Sequence, residues 1–204
     1  MHDRLDPRLS KLLVRLPFSA GLAILLWFVL LADPWGSVVT RASESWIRAA
    51  ERTKVTRLSF DDGLVVVERA DLSTRSETPA FSAAPITANL VLLLALLFAT
   101  PPALRASAYP ARVAAALGAL LVAQVLHLSF TVQTIYATQL GDWSVVSWPR
   151  WQREVVATGR YFFDIVGTYA APFVFWALTL RIGEDEAEKP NAAPAKGRRR
   201  RKRG

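Results

Sequence analysis

Four polar residues share one face of an apolar stretch in the second half of the chain and are the first candidates for chemistry. Gln124, His127, Thr131 and Thr134 follow at intervals of three, four and three residues, which places them on one side of a helix. Polar groups are costly in a bilayer and usually face the interior of a helix bundle, so this stripe is the main candidate site. Asp164 joins it, because it also lies in an apolar stretch.

Two interpretations of these residues stay open. Gln124 and His127 can bond to neighbouring helices and only fix the packing, or they can serve an ion or proton pathway together with Asp164. A single histidine without Cys, Glu or a second His in reach is poor catalytic equipment, which favours the packing interpretation. Arg160 precedes Asp164 by four residues and would neutralise it as an ion pair along one helix.

Composition and motifs exclude several classes of enzyme. The chain has no cysteine, so it can form no disulfide, no thiolate nucleophile and no zinc-thiolate site. It also lacks a Gly-rich phosphate loop, a His-Glu-x-x-His helix and a Gly-x-Ser-x-Gly elbow. We therefore expect no catalytic residue, no metal site and no cofactor, and hence no enzymatic activity.

The elements that carry the polar stripe are apolar enough to cross a membrane. No charged residue occurs between Glu77 and Arg105, or between Arg112 and Asp142. Mean hydropathy is only +0.24, because such stretches are averaged with a charged loop and a basic tail. The pattern predicts an all-α polytopic membrane protein with four transmembrane helices, and with a small extracytoplasmic helix and β-hairpin between the first and second.

The predicted segments follow in order along the chain. They are a cytoplasmic basic N-terminus at 1–15, crossings at 16–35, 85–104, 113–134 and 161–181, an extracytoplasmic helix and hairpin at 36–84, a cytoplasmic turn at 105–112, an extracytoplasmic aromatic-rich loop at 135–160 and a disordered cytoplasmic polybasic tail at 182–204. With four crossings all the basic flanks fall on one side, which predicts that both termini are cytoplasmic. The first apolar run ends in Asp33-Pro34-Trp35, which favours a retained anchor that leaves the membrane there over a cleaved signal peptide.

The segment between the first two crossings changes its period. Apolar residues from Val38 to Ala50 recur at helical spacing and predict an amphipathic helix to about Thr53. Asp61-Asp62-Gly63 then separates two β-prone runs, which is a strong signal for a β-hairpin. A lone hairpin is marginal in water, so we expect it to pack on the preceding helix, on a third strand near Leu72 or on a partner. Ser76 to Pro85 is interpreted as a linker.

Aromatic residues mark the predicted outer surfaces. Tryptophans crowd the segment before the last crossing, which suits a position in the headgroup layer or a grip on a partner protein. The candidate partner-contact aromatics are Trp46, Trp143, Trp148 and Trp151.

The tail carries much of the formal net charge of +8. Its basic block comprises Arg198, Arg199, Arg200, Arg201, Lys202 and Arg203. Beside a membrane such a block attracts anionic lipid and reinforces topology. No aromatic residue is interleaved with it, so a nucleic-acid partner is not expected.

The layout resembles the exosortase H-associated membrane proteins. Besides the amino-terminal anchor, three strings carry the resemblance, which spans Leu16 to Arg181. They are Asp62-Gly63-Leu64-Val65-Val66-Val67, Ile86-Thr87-Ala88-Asn89-Leu90 and Tyr161-Phe-Phe-Asp-Ile-Val-Gly-Thr-Tyr-Ala-Ala-Pro172-Phe-Val-Phe-Trp176.

The resemblance implies an accessory protein of the bacterial inner membrane, in a protein-sorting system with a membrane transpeptidase that cleaves carboxy-terminal signals. Exosortases resemble cysteine proteases in needing a catalytic Cys, so this chain could be a partner of such an enzyme but not the enzyme. A small transporter or ion-conducting subunit that uses Gln124, His127 and Asp164 is the alternative. An intramembrane hydrolase is disfavoured, because a nucleophile with its base and orienting group is missing.

Overall fold

A computed structural model describes residues 7–51, 55–70, 78–100 and 109–181, and these are mostly helical with one small sheet. Three helices are long and apolar enough to cross a membrane, namely Ser10–Ala50, Tyr109–Thr138 and Arg150–Leu180. Only 11% of the most apolar window of the first is buried within the protein. Such exposure is what lipid-facing helices show, and it indicates a membrane protein.

The first helix is continuous where the sequence predicted an exit from the membrane. Helix α1 (Pro7–Leu26) runs through a π-helical segment at Trp27–Leu31 directly into α2 (Ala32–Ala50). Pro34 has no N–H to donate to the helix, and in the π segment just before it the backbone hydrogen bonds span five residues in place of four. This change of hydrogen-bond pattern lets the helix continue through the proline. The anchor and the amphipathic helix therefore form one long helix, with no break at Asp33-Pro34-Trp35.

The predicted hairpin forms the core of a three-stranded antiparallel sheet. Strand β1 (Thr56–Asp61) pairs with β2 (Leu64–Arg69), and β2 pairs with β3 (Ala80–Ser82). The turn residues Asp62 and Gly63 have φ values of 44° and 76°, the left-handed pair that a type I′ turn requires. The end of the helices that carries this sheet is called the sheet end below.

The third strand comes from the segment that the sequence analysis took for a linker. Thr78–Pro85 is short and rich in small residues, yet Phe81 pairs with Val65 in register. The strand predicted near Leu72 lies outside the described residues. The hairpin also packs on α2, as expected, since an added Cβ at Gly36 would lie 2.5 Å from ring carbons of Phe60.

The predicted second crossing is a shorter apolar helix. Helices α3 (Ala84–Thr87) and α4 (Asn89–Ala99) together cover Ala84–Ala99, which is about 24 Å at 1.5 Å per residue. Helix α4 packs against α1 and against α8 (Ala171–Arg181). The predicted cytoplasmic turn that follows lies largely outside the described residues, so four crossings are not established by the helices themselves.

The helices of the last two predicted crossings extend beyond the predicted bounds. Helix α5 (Tyr109–Thr138) is 30 residues long. The segment predicted as a loop at 135–160 is largely helical, with α6 (Asp142–Ser147) and α7 (Arg150–Phe162). Helix α7 continues without a break through a π-helical segment at Phe163–Ala170 into α8.

This second π segment also ends next to a proline. The N–H of Ala171 donates to the carbonyl of Val166, five residues earlier, and Pro172 follows with no N–H to continue the pattern. Pro172 thus coincides with a change of helical register.

Two apolar clusters hold the helices and the sheet together. The larger one, at the sheet end, joins α2, both long strands, α3 and the carboxyl end of α5, with Val39, Val65, Leu128 and Val132 fully buried. The second joins the π segment of the first helix to α4 and to the first half of α5. The sheet is therefore built onto the helix ends.

Candidate functional site

A series of hydrogen bonds between uncharged groups joins α2, the pair α3 and α4, α5 and the second π segment near the middle of α5. The indole Nε1 of Trp35 donates to Oε1 of Gln124 at 2.7 Å. Gln124 donates in turn through Nε2 to Oδ1 of Asn89 and to the carbonyl of Thr87. The Gln124 side chain is 1% exposed, so its amide is shut away from solvent and fully used.

Asn89 extends this series to the second π segment. Its Nδ2 donates to the carbonyl of Gly167 at 3.2 Å. In the π register that carbonyl would receive the N–H of residue 172, which is a proline, while Ala171 already donates to Val166. The asparagine amide therefore replaces the backbone donor that Pro172 cannot supply.

The outer half of the predicted stripe has a different environment. Nε2 of His127 lies 2.8 Å from Oδ1 of Asp164, and because a carboxylate accepts, the ring donates in this contact. Nε of Arg160 is 3.6 Å from Oδ2 of the same carboxylate. His127 is 3% exposed and stacks on Phe163, whereas the Asp164 side chain is 40% exposed. This cluster is charged and reaches the surface.

The charged cluster opens into a pocket of about 370 Å³ at the sheet end, called the sheet-end pocket below. Its walls come from β3, the start of α3, α5 and the last turns of α7 with the following π segment. Polar groups and apolar walls meet there, and its lining residues are Pro79, Ala80, Phe81, Ser82, Pro85, Ile86, His127, Thr131, Ile135, Gln139, Arg160 and Asp164.

The hydroxyls of the stripe bond to their own helix. Oγ1 of Thr131 donates to the carbonyl of His127 at 3.0 Å, and Oγ1 of Thr134 donates to that of Phe130. The Thr131 hydroxyl therefore donates to the backbone and not to the His127 imidazole, so the imidazole does not activate it as a nucleophile. Among the described residues, no group of three or more His, Asp or Glu side chains could hold a metal ion.

A second cluster fastens the sheet to the helices. The guanidinium of Arg69 lies 4.7 Å from the ring centroids of both Tyr136 and Trp143. Its Nη1 is 3.7 Å from Glu51, whose carboxylate also accepts from the backbone N–H and the hydroxyl of Thr56. The Thr56 hydroxyl in turn meets the Tyr136 hydroxyl at 2.9 Å. Cation–π contacts and a partly buried ion pair thus hold β1 and β2 on the end of α2, on α5 and on α6.

The four candidate contact aromatics divide into two pairs. Trp46 is 55% exposed and Trp151 is 64% exposed. Trp143 and Trp148 pack against the sheet-end apolar cluster, and Trp143 also covers Arg69. Half of the predicted contact set is therefore partly buried and packs within the protein. The basic block Arg198–Arg203 lies outside the described residues.

Three of the residues that build these clusters were not recognised as such in the sequence. The sequence pattern marks Trp35 only as the end of the first apolar run, contains Asn89 only within the family resemblance, and gives no prediction for Arg69. An amide such as Asn89 at the entry to an uncharged apolar stretch was the available signal, because a polar group there needs a partner on another helix.

No protein-family model, curated protein or solved structure matches this chain.

Proposed function

We propose that this protein is a non-catalytic accessory protein that contacts a membrane-embedded partner through its sheet end. Two features of the described residues support it. Gln124 and Asn89 are used in hydrogen bonds between helices, and the aromatic residues Trp46 on α2 and Trp151 on α7 are exposed. The observation that carries the proposal is the position of Arg69 beside the rings of Tyr136 and Trp143, because it attaches the sheet to α5 and α6 and so to the helices of the contact surface.

The proposed topology has four crossings, with both termini in the cytoplasm and the sheet end outside a bacterial inner membrane. The short apolar helix Ala84–Ala99 supports the fourth crossing, since it packs among the three longer helices. The basic residues before Leu16, near Arg105 and after Arg181 then share one side. Reporter fusions after Thr74 and after Gly204 are expected to report outside and inside, respectively. An outside report at the carboxyl end would contradict this topology.

The resemblance to exosortase H-associated proteins supports the kind of partner, an exosortase-type transpeptidase in a protein-sorting system. Purification of the tagged full-length protein in mild detergent is expected to recover an integral membrane protein that mass spectrometry identifies. Replacing both Trp46 and Trp151 by alanine should lower that recovery at least severalfold, because large exposed aromatics dominate contact energies. Phe18→Ala is the matched control, since Phe18 is 82% exposed on α1, far along the chain from the sheet.

Two results would count against this proposal. Recovery lowered as much by Phe18→Ala as by the tryptophan variants would mean that general lipid exposure controls it. Purified protein that alone moves an ion across liposomes, at a rate abolished by His127→Leu with folding intact, would favour the alternative of a small transporter. The observation that favours that alternative is the His127–Asp164 pair beside an open pocket.

A further inference from the structure

Strand β3 has one edge with no partner strand in the described part of the chain. The sheet order is β1-β2-β3, which puts β3 at a border. Pro79 accepts from the N–H of Val67, and hydrogen-bonded pairs alternate along an antiparallel ladder. Phe81 therefore faces β2, whereas Ala80 and Ser82 direct their N–H and C=O groups away from the sheet. Both of these residues are exposed.

An open strand edge is a ready template for another extended backbone. Proteins usually protect such edges with short strands, charges, prolines or a covering helix; β3 has three residues and Pro79 precedes it, which leaves the backbone groups of Ala80 and Ser82 for a short added strand. The edge belongs to the wall of the sheet-end pocket, which Pro79 to Ser82 line together with the charged cluster. A strand added along β3 would thus enter the pocket and meet that cluster.

Arg160 is the cation of the pocket with unused donors. Its Nε is oriented by Asp164, and in the described part of the chain no other ion pair or hydrogen bond engages its guanidinium. The two terminal nitrogens form a planar fork that matches a carboxylate. Asp164 also accepts from His127, so that its charge is divided between two donors.

We infer that the sheet-end pocket binds an extended peptide segment that pairs with the free edge of β3 and places a carboxylate on Arg160. The carboxylate belongs either to the end of the peptide or to an Asp or Glu side chain, since both present the same two oxygens. A lipid phosphate would also suit Arg160 but would leave the backbone groups of Ala80 and Ser82 unused. The inference deepens the proposed function, on which it rests, because it names the kind of segment that a partner would present.

The test uses the purified full-length protein in nanodiscs and three synthetic pools of random heptapeptides. The first pool has no acidic residue and an amidated end, the second has no acidic residue and a free carboxyl end, and the third has one Asp and an amidated end. Bound peptides are counted by mass spectrometry. Retention of the second or third pool should exceed that of the first about tenfold, and the pool that is retained identifies the source of the carboxylate.

Two variants then separate the roles of the fork and the strand edge. Arg160→Gln should remove the preference for a carboxylate, about tenfold, and Arg150→Gln is the matched control, because Arg150 is exposed and does not line the pocket. Ala80→Pro removes an N–H that β2 does not use, so the fold should survive while all pools bind several times more weakly. Asp164→Asn frees Arg160 of its competing carboxylate and should leave binding equal or tighter.

Several outcomes would overturn the inference. One is equal retention of all three pools, and another is binding that neither Arg160→Gln nor Ala80→Pro changes. A third is the absence of peptide retention while Arg160→Gln lowers the retention of anionic phospholipid. A fourth is a dimer of this chain that forms without peptide and that Ala80→Pro dissociates. Each of these leaves co-purification of a membrane partner untouched. Loss of co-purification with intact peptide binding would instead contradict only the proposed partner.

Discussion

Gln124 and His127 lie one turn apart on the same face of α5, and their surroundings are opposite. Gln124 is enclosed by neutral groups from three other helical elements, and each of its polar atoms has a partner. His127 bonds to a carboxylate that is 40% exposed, beside a pocket of about 370 Å³. One sequence pattern therefore contains a closed, structural half and an open, charged half.

The difference shows that the spacing of polar residues predicts which face of the helix they share, but not whether each residue serves packing or binding. Both residues point at the interior of the bundle, as polar groups in apolar helices should. What separates them is the neighbour at each level, since Asn89 and Trp35 close the space at Gln124, whereas the short strand β3 leaves space beside His127. The comparison can be broken or sharpened by substitutions in each half.

The largest loss of stability is expected for Gln124→Leu. It would leave the indole N–H of Trp35 and Oδ1 of Asn89 without a partner, at a cost of about 3 kcal/mol in the free energy of unfolding. Thermal unfolding in detergent measures this loss. Gln133→Leu is the matched control, since Gln133 is half-buried on the same helix. Equal destabilisation by the two variants would mean that the closed half has no special structural weight.

The second effect is a coupling between Asn89 and Pro172. Asn89→Ala is expected to cost about 1 kcal/mol, because it leaves the Gly167 carbonyl without a donor. In a Pro172→Ala background residue 172 regains its N–H, so the same substitution should cost clearly less. A double-mutant cycle on unfolding free energies measures the coupling. Strictly additive costs would show that the amide does not stand in for the missing backbone donor.

The third effect lies in the sheet alone. Gly63→Val should cost on the order of 1 kcal/mol, because a β-branched residue is strained at a φ of 76°. Limited proteolysis should then cut faster between residues 56 and 82, the part of the chain that holds the three strands, while the helices keep their thermal stability. Gly63→Asn tolerates positive φ and should behave nearly like the parent. Unchanged protease resistance in Gly63→Val would speak against a strained turn at this position.

The smallest effect on stability is expected for the open half. His127→Leu and Asp164→Asn should each change the unfolding free energy by about 0.5 kcal/mol, since solvent reaches Asp164 and replaces part of the lost contact. Assembly with a partner, measured by the yield of the complex, should fall for His127→Leu and should stay equal or rise for Asp164→Asn, which frees Arg160 of its competing carboxylate. A loss of stability as large as that of Gln124→Leu would remove the distinction between the two halves.

Local signals predicted the parts of the fold whose causes are local. The β-hairpin followed from Asp62-Gly63 between β-prone runs, and β1 and β2 pair across that turn. The long apolar helices followed from uncharged stretches. The third strand could not be predicted, because Ala80–Ser82 has only three residues and pairs through a partner that lies more than ten positions away. The unbroken helix through Pro34 also escaped prediction, since a proline alone does not reveal that a π segment accommodates it.

The same division holds for the site. Helical spacing placed Gln124, His127 and Thr131 on one face, and the spacing of Arg160 and Asp164 indicated their ion pair. No spacing could indicate that Asp164 meets His127, because the two residues are 37 positions apart and belong to different helices. The internal role of Trp143 depends in the same way on Arg69, a residue of the sheet.

The seat of Arg69 has a consequence for the order in which the chain is completed during synthesis. The hairpin closes through near neighbours and can form soon after its own residues leave the ribosome. The hydroxyl of Tyr136, which meets Thr56, belongs to a residue made 80 positions later, and Trp143 is made later still. In a nascent chain stopped before residue 136, the guanidinium of Arg69 therefore has Glu51 as a neighbour but lacks the rings of Tyr136 and Trp143. We expect a protease to cut the hairpin of this shorter chain faster than that of the finished protein.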